Sequence, residues 1–137
     1  MLPLYPMIAT YGLTHIALKV KDVARSLFFY QQVFGVRVMY QKTDFVQVQT
    51  PGSNDIIVFE QAELVPTNAV GVTHFGFRLI NPEDIERLTE DVITGGGRIK
   101  EKGIFVPGEP YAFIIDPDGY EIEVWFEKIP PELSSFN

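Results

Sequence analysis

The chain has 137 residues, a size at which a single domain is expected, and 46% of them are hydrophobic, enough to bury an ordinary core rather than stay disordered. A net charge of −7 and a pI near 4.7 leave no basic stripe to neutralise phosphates, so a nucleic-acid partner is not expected. There is no cysteine, no apolar run of membrane-spanning length and no signal-peptide pattern, and the expectation is a soluble, cytoplasmic protein that does not engage a membrane.

Residues 1–11, with Pro3 and Pro6, read as an arm without periodicity. From Leu13 the chain alternates: Ile16, Leu18 and Val20 fall on one face of a strand, His15, Ala17 and Lys19 on the other. Asp22 can cap a helix carrying Val23, Leu27, Tyr30 and Phe34, and Gly35 can end it. Strands are predicted near Arg37–Gln41, Asp44–Thr50 and Asp55–Gln61, the last two separated by the turn signal Pro51-Gly52-Ser53-Asn54. The same order then repeats. Phe75, Phe77 and Leu79 share one strand face, and His74, Gly76 and Arg78 the other. Asn81 is placed as an N-cap with Pro82 at the first helical position, followed by the stripe Ile85, Leu88 and Val92. Gly95-Gly96-Gly97 ends that helix and, lacking a Lys-Ser/Thr continuation, is no phosphate loop. Strands near Arg98–Lys102, Tyr111–Ile115 and Tyr120–Phe126 follow, with Asp116-Pro117-Asp118-Gly119 as a tight turn.

The plan is therefore βαβββ twice, with module 1 at about residues 12–62 and module 2 at about 71–127 of one domain. The expected fold is α+β: a curved, mixed sheet around one cavity, helices on its convex face. The only two histidines occupy equivalent slots, in Gly12-Leu13-Thr14-His15-Ile16-Ala17-Leu18-Lys19-Val20 and Gly71-Val72-Thr73-His74-Phe75-Gly76-Phe77-Arg78-Leu79. One imidazole per copy suits a metal at a pseudo-twofold axis; a structural or surface histidine is the competing reading at each position. Lys19 and Arg78 share the histidine faces and are candidates for binding an anionic substrate group, or for surface ion pairs.

With these motifs, and with Phe29-Tyr30-Gln31-Gln32-Val33-Phe34-Gly35 and Asp116-Pro117-Asp118-Gly119-Tyr120-Glu121-Ile122-Glu123, the chain resembles the vicinal oxygen chelate superfamily. That group includes glyoxalase I, extradiol dioxygenases, fosfomycin-resistance enzymes, methylmalonyl-CoA epimerase and bleomycin-resistance proteins. The resemblance covers roughly Leu13 to Glu127. It implies one divalent ion (Fe, Mn, Ni or Zn) on His15, His74 and Glu123, a 2-His-1-carboxylate set with open positions. It also implies a small oxygenated substrate and a homodimer. An ungapped alignment of Thr50–Ile57 with Asp116–Glu123 sets Ile57 where Glu123 stands, so the fourth protein ligand of glyoxalase I and the epimerase is missing unless Glu60 supplies it through a bulge. The reading that results is a dioxygenase-like, metal-dependent enzyme. A glyoxalase- or epimerase-like lyase or isomerase is the first alternative, and a metal-free drug-binding protein of the bleomycin-resistance kind the second. Lys19, Ile57, Arg78, Phe113 and Trp125 are the candidate substrate-binding residues, and Tyr111 and Tyr120, with no third histidine available, the candidate acid–base groups.

Overall fold

Residues 8, 9, 11, 13–65 and 72–128 are described by a computed structural model. Most of the N-terminal arm (1–7 and 10) lies outside the described residues, as do Gly12 and Gly71, which open the two repeat segments. Module 1 comprises β1 (Ile16–Val20), α1 (Val23–Phe34), β2 (Arg37–Lys42), β3 (Phe45–Gln49) and β4 (Ile57–Gln61). Module 2 comprises β5 (Phe75–Arg78), α2 (Asp84–Thr94), β6 (Arg98–Val106), β7 (Glu109–Ile115) and β8 (Glu121–Trp125). The α+β class and the paired βαβββ modules are as expected. The strands divide into two four-stranded sheets, ordered β1-β4-β3-β2 and β5-β8-β7-β6. In each, the first strand pairs parallel with the last and the remaining pairs are antiparallel. Within a module, only the helix and the strands after it give the chain the length to return in the parallel direction.

Local chemistry explains most element ends. Asp22 Oδ1 accepts the N–H groups of Ala24 and Arg25 at 2.9 and 3.3 Å, satisfying two donors of the first turn of α1. Gly35 closes that helix with φ 63°, a conformation other residues resist. The start of α2 differs from expectation. The helix begins at Asp84 with Glu83 at the cap position and no side-chain cap. Residues 81–86 instead make three successive i→i+3 bonds, from Asp84, Ile85 and Glu86 back to Asn81, Pro82 and Glu83. The chain thus winds as a tight turn before widening into an α-helix, and Asn81 contributes its carbonyl rather than its side chain. β6 also runs four residues past its expected end. Pro107-Gly108, with Gly108 at φ 86°, makes a two-residue hairpin loop that sets Val106 opposite Glu109.

One hydrophobic core serves both modules. Val20, Phe29, Tyr30, Val46, Val48 and Phe59 from module 1 join Ile114, Ile122, Val124 and Val92 from module 2, and Phe34 stacks on Phe77 with ring centroids 3.9 Å apart. Ile16, Leu18, Phe75 and Phe77 pack against this cluster. Since side chains alternate along a strand, His15, Ala17 and Lys19, and likewise His74, Gly76 and Arg78, face away from it. The helix-bearing sides of the two modules therefore meet inside, and both histidine faces look outward.

The junction between modules is also polar. Asp118 Oδ1 accepts the Lys21 N–H at 2.9 Å and Arg25 Nη2 at 2.7 Å, while its Oδ2 accepts the Ser26 hydroxyl at 3.1 Å. The Tyr30 hydroxyl donates to Asp116 Oδ2 at 2.8 Å, and Asp116 Oδ1 accepts the N–H groups of Asp118 and Tyr120, both at 2.9 Å. Among the described residues no buried side-chain polar atom lacks a partner. Asp116-Pro117-Asp118-Gly119, in the sequence a turn and part of a superfamily motif, is thus a latch that docks module 2 on α1.

Candidate metal centre

On the outer face of module 2, register brings the candidate ligands together. Gly76 pairs with Glu123 across β5 and β8, and His74 stands two residues before Gly76 on the same face. A Cβ on Gly76 would lie 3.0 Å from the Glu123 carbonyl oxygen, so glycine eases the close approach of these two strands. His74 Nε2 is 3.5 Å from Glu123 Oε1. The other ring nitrogen, Nδ1, is 3.3 Å from the Thr73 hydroxyl, which holds the imidazole so that Nε2 points to the carboxylate. Thr73 was not singled out from the sequence, although a threonine precedes the histidine in both copies of the repeat. Phe113, directly opposite Glu123 on β7, sets its ring edge-on to His74 at 5.3 Å.

His15 does not join this pair. It is exposed and lines a cavity of about 480 Å³ with Thr14, Ser53, Asp55, Phe77 and Arg78. Among the described residues, no three His, Asp or Glu side chains gather around one point. Within one chain, then, two of the three expected ligands converge and the third occupies the equivalent slot on the outward face of the other module.

Residues 12–124 match the model of the Glyoxalase/Bleomycin resistance protein/Dioxygenase superfamily. The chain belongs to this superfamily. Among its relatives is a probable trivalent organoarsenical cleaving enzyme of Bacillus subtilis, 32% identical over 87% of this chain and 82% of that protein. Another is a lactoylglutathione lyase of Arabidopsis thaliana, 29% identical over 86% of this chain; the chain spans only 45% of the lyase's length. A mutant form of the fosfomycin resistance protein FosX of Listeria monocytogenes, complexed with Mn(II) and 1S,2S-dihydroxypropylphosphonic acid, has the same fold. It superposes with a TM-score of 0.73 at 21% identity over 94% of this chain and all of that one. The chain's sequence relatives thus include a lyase, and the superfamily's description takes in dioxygenases.

Against the superfamily's ligand positions, the expected place of Ile57 needs correction. β1 pairs with β4 so that Ala17 faces Val58, just as Gly76 faces Glu123. Val58, not Ile57, therefore holds the slot equivalent to Glu123. The turn after Thr50 carries one residue more than the turn after Asp116, and a one-residue slip turns every side chain to the opposite face. Ile57 is 6% exposed and part of the shared cluster, and it also lines the His15 cavity. Glu60 lies on the histidine face, across from Lys19 and one pair further along. No bulge interrupts β4, and the residue at the carboxylate slot is an aliphatic one that cannot ligate.

The other candidates divide between the two histidines, with Arg78 beside both. Arg78, Tyr111, Phe113 and Trp125 share the His74–Glu123 face. Lys19 sits with His15 on module 1. Tyr120 lies at the module junction, not beside His74 and Glu123. Its hydroxyl donates to the Lys19 carbonyl at 2.8 Å and its ring packs on the core, making it part of the module junction; burial, then the Asp116 carboxylate, raises its pKa. Tyr111 donates to Glu101 Oε1 at 3.0 Å, and that hydrogen bond chiefly raises its pKa, so it keeps its proton at neutral pH. Phe105 lies beyond the strand end expected at Lys102, while Glu101 is inside the expected strand and its pairing with Tyr111 needs the register of β6 on β7.

Proposed function

We propose that this protein is a metal-dependent, dioxygenase-like enzyme acting on a small molecule with two adjacent oxygens, and that its ion is held by His74 and Glu123 of one subunit with His15 of the partner subunit in a homodimer. The observation that carries this reading is the 3.5 Å approach of His74 Nε2 to Glu123 Oε1, with the Thr73 hydroxyl at the other imidazole nitrogen. Two imidazoles and a carboxylate fit Fe(II) or Mn(II), and accept Ni or Zn. A divalent ion held there would supply Lewis-acid chemistry to the substrate oxygens. Around it, the Thr73 hydroxyl orients the imidazole through Nδ1, Phe113 stands against one side of the ring, and Tyr111 holds a proton on the same face.

The shared site follows from the outward histidine faces. Each subunit offers one His15 face and one His74–Glu123 face, so an isologous pairing completes two sites at once. The exposed surface supports such a pairing. Every residue of β2 is exposed, including Val38, Met39 and Tyr40 at 37, 42 and 48%. Glyoxalase-like chemistry with four protein ligands fits poorly because Val58 holds the fourth slot. Cleavage of a trivalent organoarsenical fits poorly because trivalent arsenic is soft and seeks thiolates, and this sequence has no cysteine.

Metal analysis of variants tests the ligand set: His15→Ala, His74→Ala and Glu123→Gln should each lose the ion. Co-expressing His15→Ala with Glu123→Ala tests the sharing. Their heterodimer keeps one site with all three ligands, so about half the wild-type metal should return to it, whereas a site within one chain would recover none. Oxygen uptake with an aromatic vicinal diol, absent in the ligand variants, tests the reaction. Light scattering at the 15.5 kDa of one chain would refute the dimer.

A further inference from the structure

The outer face of module 2 carries a row of aromatic rings that begins at the candidate ligands. Phe113 stands edge-on to His74 at 5.3 Å, and Tyr111 edge-on to Phe113 at 5.8 Å. Phe105 stacks on Tyr111 at 4.2 Å, and Trp125 stands edge-on to Phe105 at 6.4 Å. Three strands supply the row, through the register that sets Tyr111 between Gly103 and Trp125. Gly103 leaves room for this ring: a Cβ there would lie 2.6 Å from the Tyr111 hydroxyl, so the ring would have to shift. The phenol lies across that glycine and is tied to Glu101, so the ring is held in place before any ligand arrives. At the far end, the Arg78 guanidinium sits 5.5 Å from the Trp125 ring centroid. Its ion pair with Glu127 spans 3.6 Å between two half-exposed side chains, a contact that an incoming anion can displace at little cost.

Edge-to-face packing fixes these rings against one another, yet Phe105 remains 51% exposed. A contiguous, preorganised aromatic strip open to solvent marks a recognition surface. Its continuity with His74 and Glu123 at one end, and a cation at the other, distinguish it from a patch that merely awaits another protein. Arg78 is four residues beyond His74, about 13 Å along an extended strand, which suits a two-ring molecule.

We propose that Phe105, Tyr111, Trp125 and Arg78 form a recognition track for a planar two-ring aromatic acid, its rings against the aromatic strip and its acidic group at Arg78. The placement of its oxygens at the ion rests on the metal reading above; the track itself does not.

The test uses 6,7-dihydroxy-2-naphthoate, 2-naphthoate and 2,3-dihydroxynaphthalene as probes, each titrated with EDTA and with Mn(II). Trp125 is the single tryptophan, so its indole N–H gives one resonance to follow while calorimetry measures affinity. Both naphthoates should move that resonance even in EDTA, and Mn(II) should tighten the dihydroxy acid at least tenfold but leave 2-naphthoate unchanged. Phe105→Ala, at a half-exposed site that the fold does not need, should weaken every probe about tenfold. Arg78→Gln should weaken the two acids but not the neutral diol. If the naphthoates leave the Trp125 resonance unmoved, or if Phe105→Ala binds as wild type, the track is wrong even where metal binding is intact. If the acids bind the track but Mn(II) has no effect on the dihydroxy acid, the track stands and the metal reading fails. A Trp125 resonance that responds to protein dilution and not to any probe would assign the strip to a second copy of the chain and overturn the proposal.

Discussion

Replacing Asp116 by Asn should remove a pH dependence from the stability of this fold. Asp116 is 3% exposed, and burial raises its pKa from 3.8 to about 6, even though hydrogen bonds from Tyr30, Tyr120 and Asp118 pull it the other way. A carboxyl group whose pKa is higher in the folded state binds its proton more tightly there. Below pH 3.8 both states are protonated and the group is neutral in its effect. As the pH rises toward 6, the unfolded chain releases its proton first, and stability falls; above about 6 both states are ionised and the loss is complete. At about 1.4 kcal/mol per pH unit, the difference comes to about 3 kcal/mol. Asn keeps an oxygen for the two N–H groups of the turn but loses the acceptor for the Tyr30 hydroxyl, a cost of about 1 kcal/mol. Urea unfolding of both proteins at pH 4.5, 6 and 7.5 measures the contrast. Subtracting the two curves cancels the titration of all other groups. Wild type should lose stability relative to the Asn variant as pH rises, and the variant should be the more stable by about 2 kcal/mol at pH 7.5. A difference that stays constant across this range would show that Asp116 is not held protonated by burial and would refute the reasoning.

Other substitutions probe separate parts of the argument. Gly97→Ala would place a Cβ 2.4 Å from the Ile115 carbonyl oxygen and 2.5 Å from Phe29, and should cost about 3 kcal/mol in thermal or urea unfolding. Asp22→Ala removes the acceptor for two N–H groups at the start of α1 and should cost about 1 kcal/mol by the same assays. Glu60→Gln should leave metal content unchanged, since Glu60 lies one pair beyond the ligand slot; loss of the ion would instead make Glu60 a fourth ligand and favour a glyoxalase-like lyase.

Much of this architecture was legible because its signals are local. The alternation in β1 and β5, the Asp22 cap and the Gly35 stop each act within a few residues, and all appear where the sequence places them. The reading failed where a decision depended on a partner segment. Ile57 was set one residue out of register because the turn before β4 holds an extra residue that only pairing with β1 reveals. The end of β6 was missed, and with it Phe105, because a Pro-Gly hairpin allowed pairing to continue past Lys102.

By itself the sequence determined the doubled βαβββ plan, the superfamily, and which side chains share a strand face with each histidine. Periodicity and capping carry that information residue by residue. Only the tertiary structure decided how the modules meet. The contacts that join them, such as Lys21 to Asp118 and Tyr30 to Asp116, link residues 97 and 86 positions apart. No local pattern encodes a pairing over such distances; it emerges when two apolar faces seek the same core and buried polar groups must find partners. That packing turns both histidine faces outward, sets His74 beside Glu123, and leaves His15 on the opposite module.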